Sequence, residues 1–217
     1  MTAELLGLPC VSAVSGLELG EGRGTAQREL EELRQCAARH GAPEAEDFQP
    51  WDVSFWAEVL RRAGRRAEAL EWLLRELAHP HVVAIGETGL DYHYEPEAAE
   101  LQQESFRLHL QAAQQTGKPV IIHTRGARAD TLELLREAAL PQAGVLHCFT
   151  EDWDMAKAAL DMGYYISLSG IVTFRNADAL RDVASKVPAD RLLVETDSPY
   201  LAPIPYRGKP NLPQYVR

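Results

Sequence analysis

Beyond His81 the chain alternates short apolar runs with helical ones, and this alternation constrains its fold more than any other feature. Five runs of strand length, each rich in Val, Ile, Leu or Tyr, cover Val82–Glu87, Pro119–His123, Gly144–Cys148, Tyr164–Ser169 and Arg191–Asp197. Between them lie Glu97–Thr116, Ala129–Ala139, Asp152–Met162 and Ala177–Lys186, with apolar residues at helical spacing. Strand, helix, strand, helix predicts a parallel sheet with helices outside it, because parallel neighbours need a long crossover. Gly117, Gly144 and Gly163 each fall between a helix and the next strand, where a helix C-terminus commonly needs a left-handed residue. A doubly wound sheet and a barrel both fit this repeat.

Ahead of it, Thr25–Leu77 is rich in Ala, Glu, Arg and Leu, and its apolar residues from Leu30 to Leu77 recur at helical spacing. Helices are predicted there, interrupted at Gly41–Pro50 and Arg61–Arg66, after an irregular Met1–Gly24. The expected organisation is a helical segment over residues 1–78 and an α/β domain over residues 79–217. The net charge of -10 gives no global positive field toward nucleic acid or an anionic membrane surface. A bound divalent ion can still supply local positive charge to a phosphate. Cys10, Cys36 and Cys148 are an odd, scattered set, which suits a reducing compartment. No apolar run approaches the ~18 residues of a membrane helix, and no leader pattern opens the chain, so the expected address is the cytoplasm.

The chemistry is concentrated where the strands are expected to end. Glu87, His123, His147 and Asp197 close four of the five runs, and each is a side chain that ligates divalent metals. The fifth end, Ser167–Gly170, has no such residue. Active sites collect at the C-terminal ends of parallel strands. A buried carboxylate without a partner is costly, so Glu87 and Asp197 need a metal, a cation or several donors nearby. Mixed nitrogen and oxygen donors suit zinc, manganese or magnesium better than a thiolate site does. Cys148, one residue after His147, is expected on the opposite face of its strand, in the core.

The blocks "VVAIGETGLDYHY", "PVIIHTR", "VLHCFT", "GYYISLSGIVTF" and "LLVETDSPYLAPIPYRGKPN" resemble, in order, those of the TatD family of metal-dependent deoxyribonucleases, over about residues 80–215. The resemblance implies a TIM-type (β/α) barrel, one or two divalent ions at its mouth, and hydrolysis of phosphodiester bonds in DNA from the 3′ end. It implies that Glu87 bridges two metals, that His123 and His147 ligate one of them, and that Asp197 binds metal and handles the proton of the attacking water. Arg125, expected in the loop after His123, is a candidate phosphate clamp, since guanidinium forks match phosphate oxygens. Thr150 and Tyr200 are expected in loops that shape the substrate path, and His93 in a loop, as a structural or substrate-facing residue and not a ligand.

The family pattern also opens with a strand ending in His-x-His, and the only such pair here is His79-Pro80-His81. A six-residue strand at about 3.3 Å per residue would place that pair ~20 Å from the other ligands, so it is rejected as the missing pair. The expected fold is therefore an incomplete barrel, also lacking the family's final helix. Residues 29–61, particularly around Gln49–Ala57, are faintly similar to zinc peptidases of the oligopeptidase A type, without a His-Glu-x-x-His motif. The leading expectation is a DNA hydrolase with a half-complete metal centre. The alternatives are an inactive truncated or chimeric relative, and a hydrolase of a non-nucleic ester or amide. Open sheet edges would further permit self-association.

Overall fold

The structure is a computed structural model and describes residues 65–94 and 96–216. The expected helices and irregular segment before residue 65, with Cys10, Cys36 and the peptidase-like stretch, lie outside the described residues. The chain divides into two compact units, with a boundary between Val83 and Ala84. In the first of them, α1 (Arg66–Leu77) buries Ala69, Leu73 and Leu77, a stripe at four-residue spacing.

Among the described residues, the second unit holds five parallel strands: β1 (Ile85–Asp91), β2 (Val120–Arg125), β3 (Val145–Leu146), β4 (Tyr165–Leu168) and β5 (Leu192–Val194). They are hydrogen-bonded in the order β1-β2-β3-β4-β5. This order decides between the two sheets the repeat allowed. A doubly wound sheet reverses direction at a switch point, whereas consecutive order without reversal is an arc of a (β/α) barrel. The helices α2 (Ala99–Thr116), α3 (Arg128–Ala138), α4 (Trp153–Asp161) and α5 (Asp178–Lys186) connect the strands in turn. Val120, Ile122, Leu146 and Ile166 are fully buried at the middle of the arc, and Phe106 of α2 and Met155 of α4 are buried with them. Full burial of side chains this size is worth ~1.5–3 kcal/mol each.

The helix boundaries follow local chemistry. Asp152 caps α4 by accepting the Met155 N–H at 3.0 Å. Gly117 ends α2 in the left-handed conformation at φ 69°, its N–H donating to Ala113 O at 2.8 Å. Gly144 departs from the expected role: the left-handed residue after α3 is Ala139, at φ 43°. Glycine is needed at Gly144 for another reason, because a Cβ there would fall 1.7 Å from Val120 O of the adjoining strand.

The strand ends also differ from expectation. β1 starts at Ile85 and runs through Glu87 to Asp91, with a register irregularity between Ile85 and Thr88. Glu87 is thus inside the strand, in a bulge flanked by Gly86 (φ 148°) and Gly89 (φ 140°), backbone geometry that favours glycine. β2 likewise continues past His123, so Arg125 is its last residue and not a loop residue. β3 and β5 are shorter than expected, which leaves His147 directly after one and Asp197 three residues after the other.

Candidate active site

The pairing of β1 with β2 builds the first half of the site. Gly89 faces His123 and Asp91 faces Arg125 in the register. Alternate residues share a face of a strand, so Glu87 and Asp91 stand on either side of the position opposite His123. The imidazole meets both: Nδ1 is 3.0 Å from Glu87 Oε1 and Nε2 is 3.1 Å from Asp91 Oδ2. A Cβ on Gly89 would fall 2.0 Å from His123 O, so the residue between the two carboxylates has to lack a side chain. Asp91 is itself held. Its N–H donates to Gln102 Oε1 at 2.7 Å, and Gln102 Nε2 donates to Asp91 O at 3.1 Å. Its second carboxylate oxygen, Oδ1, accepts the N–H groups of His93 and Tyr94, both at 2.9 Å.

The second half comes from the segments after β3 and β5. His147 Nδ1 is 2.9 Å from Glu195 Oε1, and Nε2 is 3.7 Å from both Glu87 Oε1 and Asp197 Oδ1. Glu195 accepts the Nδ1 hydrogen, which leaves the Nε2 lone pair facing Glu87 and Asp197. The same buried carboxylate accepts the Cys148 N–H. Cys148 (φ 43°) and Asp197 (φ 54°) both have left-handed backbones. Such a conformation costs a non-glycine residue ~1–3 kcal/mol and persists only where neighbours hold it. Here Asp197 O accepts the Tyr200 N–H at 2.8 Å, and Asn211 Nδ2 donates to Thr196 O.

This turn corrects the expectation for Cys148. Strand alternation does not apply, because β3 has already ended at Leu146. The thiol lies on the site side, with Sγ 3.1 Å from Ser169 Oγ and 4.0 Å from Asp197 Oδ2. Burial, with the carboxylates of Asp197, Glu195 and Glu87, pushes it up to about 12 despite the Ser169 contact, so it stays protonated and a poor nucleophile.

The remaining groups are tuned by each other. The hydrogen bond from His123 holds Glu87 below the usual carboxylate range, and the same contact raises His123. For His147, burial opposes the charged form, but the Glu195 hydrogen bond and the surrounding carboxylates outweigh it and the ring is raised. Burial raises Asp197, and the Glu195 and Glu87 charges add to the rise against the pull of His147. A carboxylate with elevated proton affinity beside a candidate metal position is suited to act as a base.

Glu87, His123, His147 and Asp197 are thus brought together from four segments. Arg125 lies two residues from His123 on the same strand face, its guanidinium 4.7 Å over the Tyr94 ring. Two carboxylates escaped the sequence reading, Asp91 and Glu195. Asp91 lies four residues after Glu87 and Glu195 two before Asp197, and "ETD" in particular places a second acid on a run otherwise apolar. The β4 end supplies no ligand-type side chain, and Ser169 there contacts Cys148. Tyr200 is exposed, at 71%. His79 and His81 stack loosely on each other, centroids 5.3 Å apart, in the unit that ends at Val83.

The donors fit a divalent ion in kind. Two donors bound at about 2.1 Å to one ion stand ~3.0–3.4 Å apart. The Glu87–His123 separation of 3.0 Å matches this, and the His147 Nε2–Glu87 separation of 3.7 Å exceeds it slightly. No group of three His, Cys, Asp or Glu side chains among the described residues is already set to hold an ion. His123 instead spans two carboxylates, as a protonated ring does in place of a cation.

Comparison with known proteins bears on the family and the fold. The family model described as "TatD related DNase" matches residues 34–217, starting well ahead of the motifs near residue 80. The uncharacterized metal-dependent hydrolase YcfH of Escherichia coli K12 is 62% identical over 149 residues, covering 68% of this chain and 56% of that protein. The uncharacterized metal-dependent hydrolase TatD of Mycobacterium tuberculosis is 43% identical over 176 residues, covering 75% and 65%. The chain therefore spans somewhat over half the length of these curated relatives. The crystal structure of YjjV, a TatD homolog from Escherichia coli K12, superposes with a TM-score of 0.66 at 29% identity, covering 92% of this chain and 83% of that one. The family model covers most of the chain and the strand order is that of the fold: the chain belongs to the TatD-related DNase family.

Proposed function

We propose that the chain is a metal-dependent phosphodiesterase acting on DNA, removing nucleotides from the 3′ end. The observation that supports this most is the meeting of Glu87, His123, His147 and Asp197 at one end of the sheet, with each histidine turned by a second carboxylate. Glu87 Oε1, His123 Nδ1 and His147 Nε2 would hold one divalent ion of the magnesium, manganese or zinc type. Asp197, with no His-x-His pair beside it among the described residues, would hold a second only weakly. A bound ion of this kind supplies Lewis acidity, making hydroxide available near neutral pH.

The protein's own groups do the rest. Asp91 and Glu195 orient the two rings from behind, as outer carboxylates do for ligating histidines. Asp197, raised by burial, accepts the proton of the attacking water. Arg125, on the His123 face of β2, pairs with a phosphate oxygen. The net charge of -10 disfavours long-range attraction of DNA, so binding depends on these local cations.

The test is nucleotide release from single-stranded DNA with manganese or with EDTA, comparing the native chain with Glu87→Ala, Asp197→Ala and Arg125→Ala. Release only with metal, abolished by the first two and weakened by the third, is expected. Turnover indifferent to Glu87→Ala and Asp197→Ala would refute the assignment. Absence of turnover with metal retained would favour an inactive relative, and hydrolysis confined to carboxylic esters or amides would favour the non-nucleic reading.

A further inference from the structure

The turn after β1 has a feature that holding a metal does not require. Tyr94 is 70% exposed, yet its backbone is fixed: its N–H donates to Asp91 Oδ1 at 2.9 Å, and the Asp91 backbone is clamped by Gln102. The other oxygen of the same Asp91 carboxylate contacts His123 Nε2 at 3.1 Å. One side chain therefore ties the position of an exposed aromatic ring to the position of a candidate ligand. Over that ring sits the Arg125 guanidinium, 4.7 Å from the centroid, and Arg125 forms no ion pair with a carboxylate among the described residues. The His93 ring supports Tyr94 edge-on, with centroids 4.9 Å apart at 72°.

An exposed ring beside an un-neutralised guanidinium, on a turn braced from two sides, matches the chemistry of one nucleotide. Its base stacks on an aromatic face and its phosphate pairs with arginine, with little dependence on sequence. We propose that Tyr94, with Arg125 against it, is a docking platform for a base of single-stranded DNA next to the reacting phosphate. The platform rests on the nuclease reading above and adds a specificity-determining residue to it. A duplex end would have to fray before its base could stack there.

The experiment compares anisotropy of a labelled short thymidine strand with that of an abasic strand of the same length, in EDTA and low salt, for the native chain, Tyr94→Ala and Tyr94→Phe. The native chain and Tyr94→Phe are expected to prefer the thymidine strand by roughly tenfold, and Tyr94→Ala is expected to lose that preference. No binding of the thymidine strand, equal binding of the two strands by the native chain, or an unchanged preference in Tyr94→Ala would overturn the platform. Because Tyr94 is exposed, thermal melting of Tyr94→Ala should match the native chain and so separate lost stacking from lost fold. The nuclease reading is judged separately, by manganese-dependent hydrolysis of bis(p-nitrophenyl) phosphate, a diester without bases. A chain that fails that reaction but still discriminates the strands counts against the nuclease reading and leaves the base-stacking contact without its place beside a reacting phosphate.

Discussion

Replacing Glu195 by alanine should damage both the fold and the metal centre, and the size of each effect follows from its contacts. The carboxylate is buried and accepts two hydrogens, from His147 Nδ1 at 2.9 Å and from the Cys148 N–H. Losing a charge-assisted hydrogen bond costs ~1.5–3 kcal/mol, and leaving a buried N–H unsatisfied costs ~1–3 kcal/mol. Water entering the vacated volume recovers part of the second cost, so a net loss of about 3 kcal/mol is expected. For a chain of this size that corresponds to a fall in Tm of ~6–12 °C. The His147 ring would also lose the contact that keeps Nε2 toward Glu87, which should weaken metal binding ~10–100-fold. Urea unfolding in EDTA measures the first effect and calorimetric titration with manganese the second. Glu195→Gln keeps an acceptor in place and should lose about half as much of each. A Glu195→Ala variant with native stability and native manganese affinity would refute the role assigned to this residue.

Gly89→Ala should destabilise the chain by several kcal/mol, since its Cβ would meet His123 O and its φ of 140° suits only glycine; failure to lower the urea midpoint would contradict the β1–β2 packing. The metal-free chain should show a stability maximum in pH. His123 and His147 are raised above 6.5, so their contribution is complete below that pH and lost as pH rises through their folded values. Glu87 is lowered from 4.5, so its contribution is present above that pH and lost as pH falls through its depressed value. Melting in EDTA should therefore peak between these limits, and a Tm that rises steadily above about pH 6.5 would contradict the pairing. β1 and β5 each have one strand neighbour among the described residues. Light scattering should accordingly show a mass above 24.1 kDa, and a monomer would exclude edge pairing.

The regular parts of the fold could be read from spacing because periodic burial produced them. β4, α2 and α4 lie within a residue or two of their expected limits. The four candidate ligands were also visible, since each follows an apolar run. What spacing could not show was backbone irregularity. The Gly86–Gly89 bulge moves Glu87 into the strand, and the left-handed turn at Cys148 carries the thiol to the site side, where alternation forbids it. Asp91 and Glu195 were missed because their partners are distant in sequence, His123 at 32 residues from Asp91 and Cys148 at 47 from Glu195. A buried acid in an apolar run is nevertheless a signal, because it demands a partner.

The most direct test of the central claim is anomalous scattering from manganese-soaked crystals of the chain. A peak is expected ~2.0–2.3 Å from Glu87 Oε1, His123 Nδ1 and His147 Nε2, with Asp91 and Glu195 still on the opposite nitrogens. A soaked crystal with no peak between these residues, or with manganese on the other nitrogen of either histidine, would contradict it.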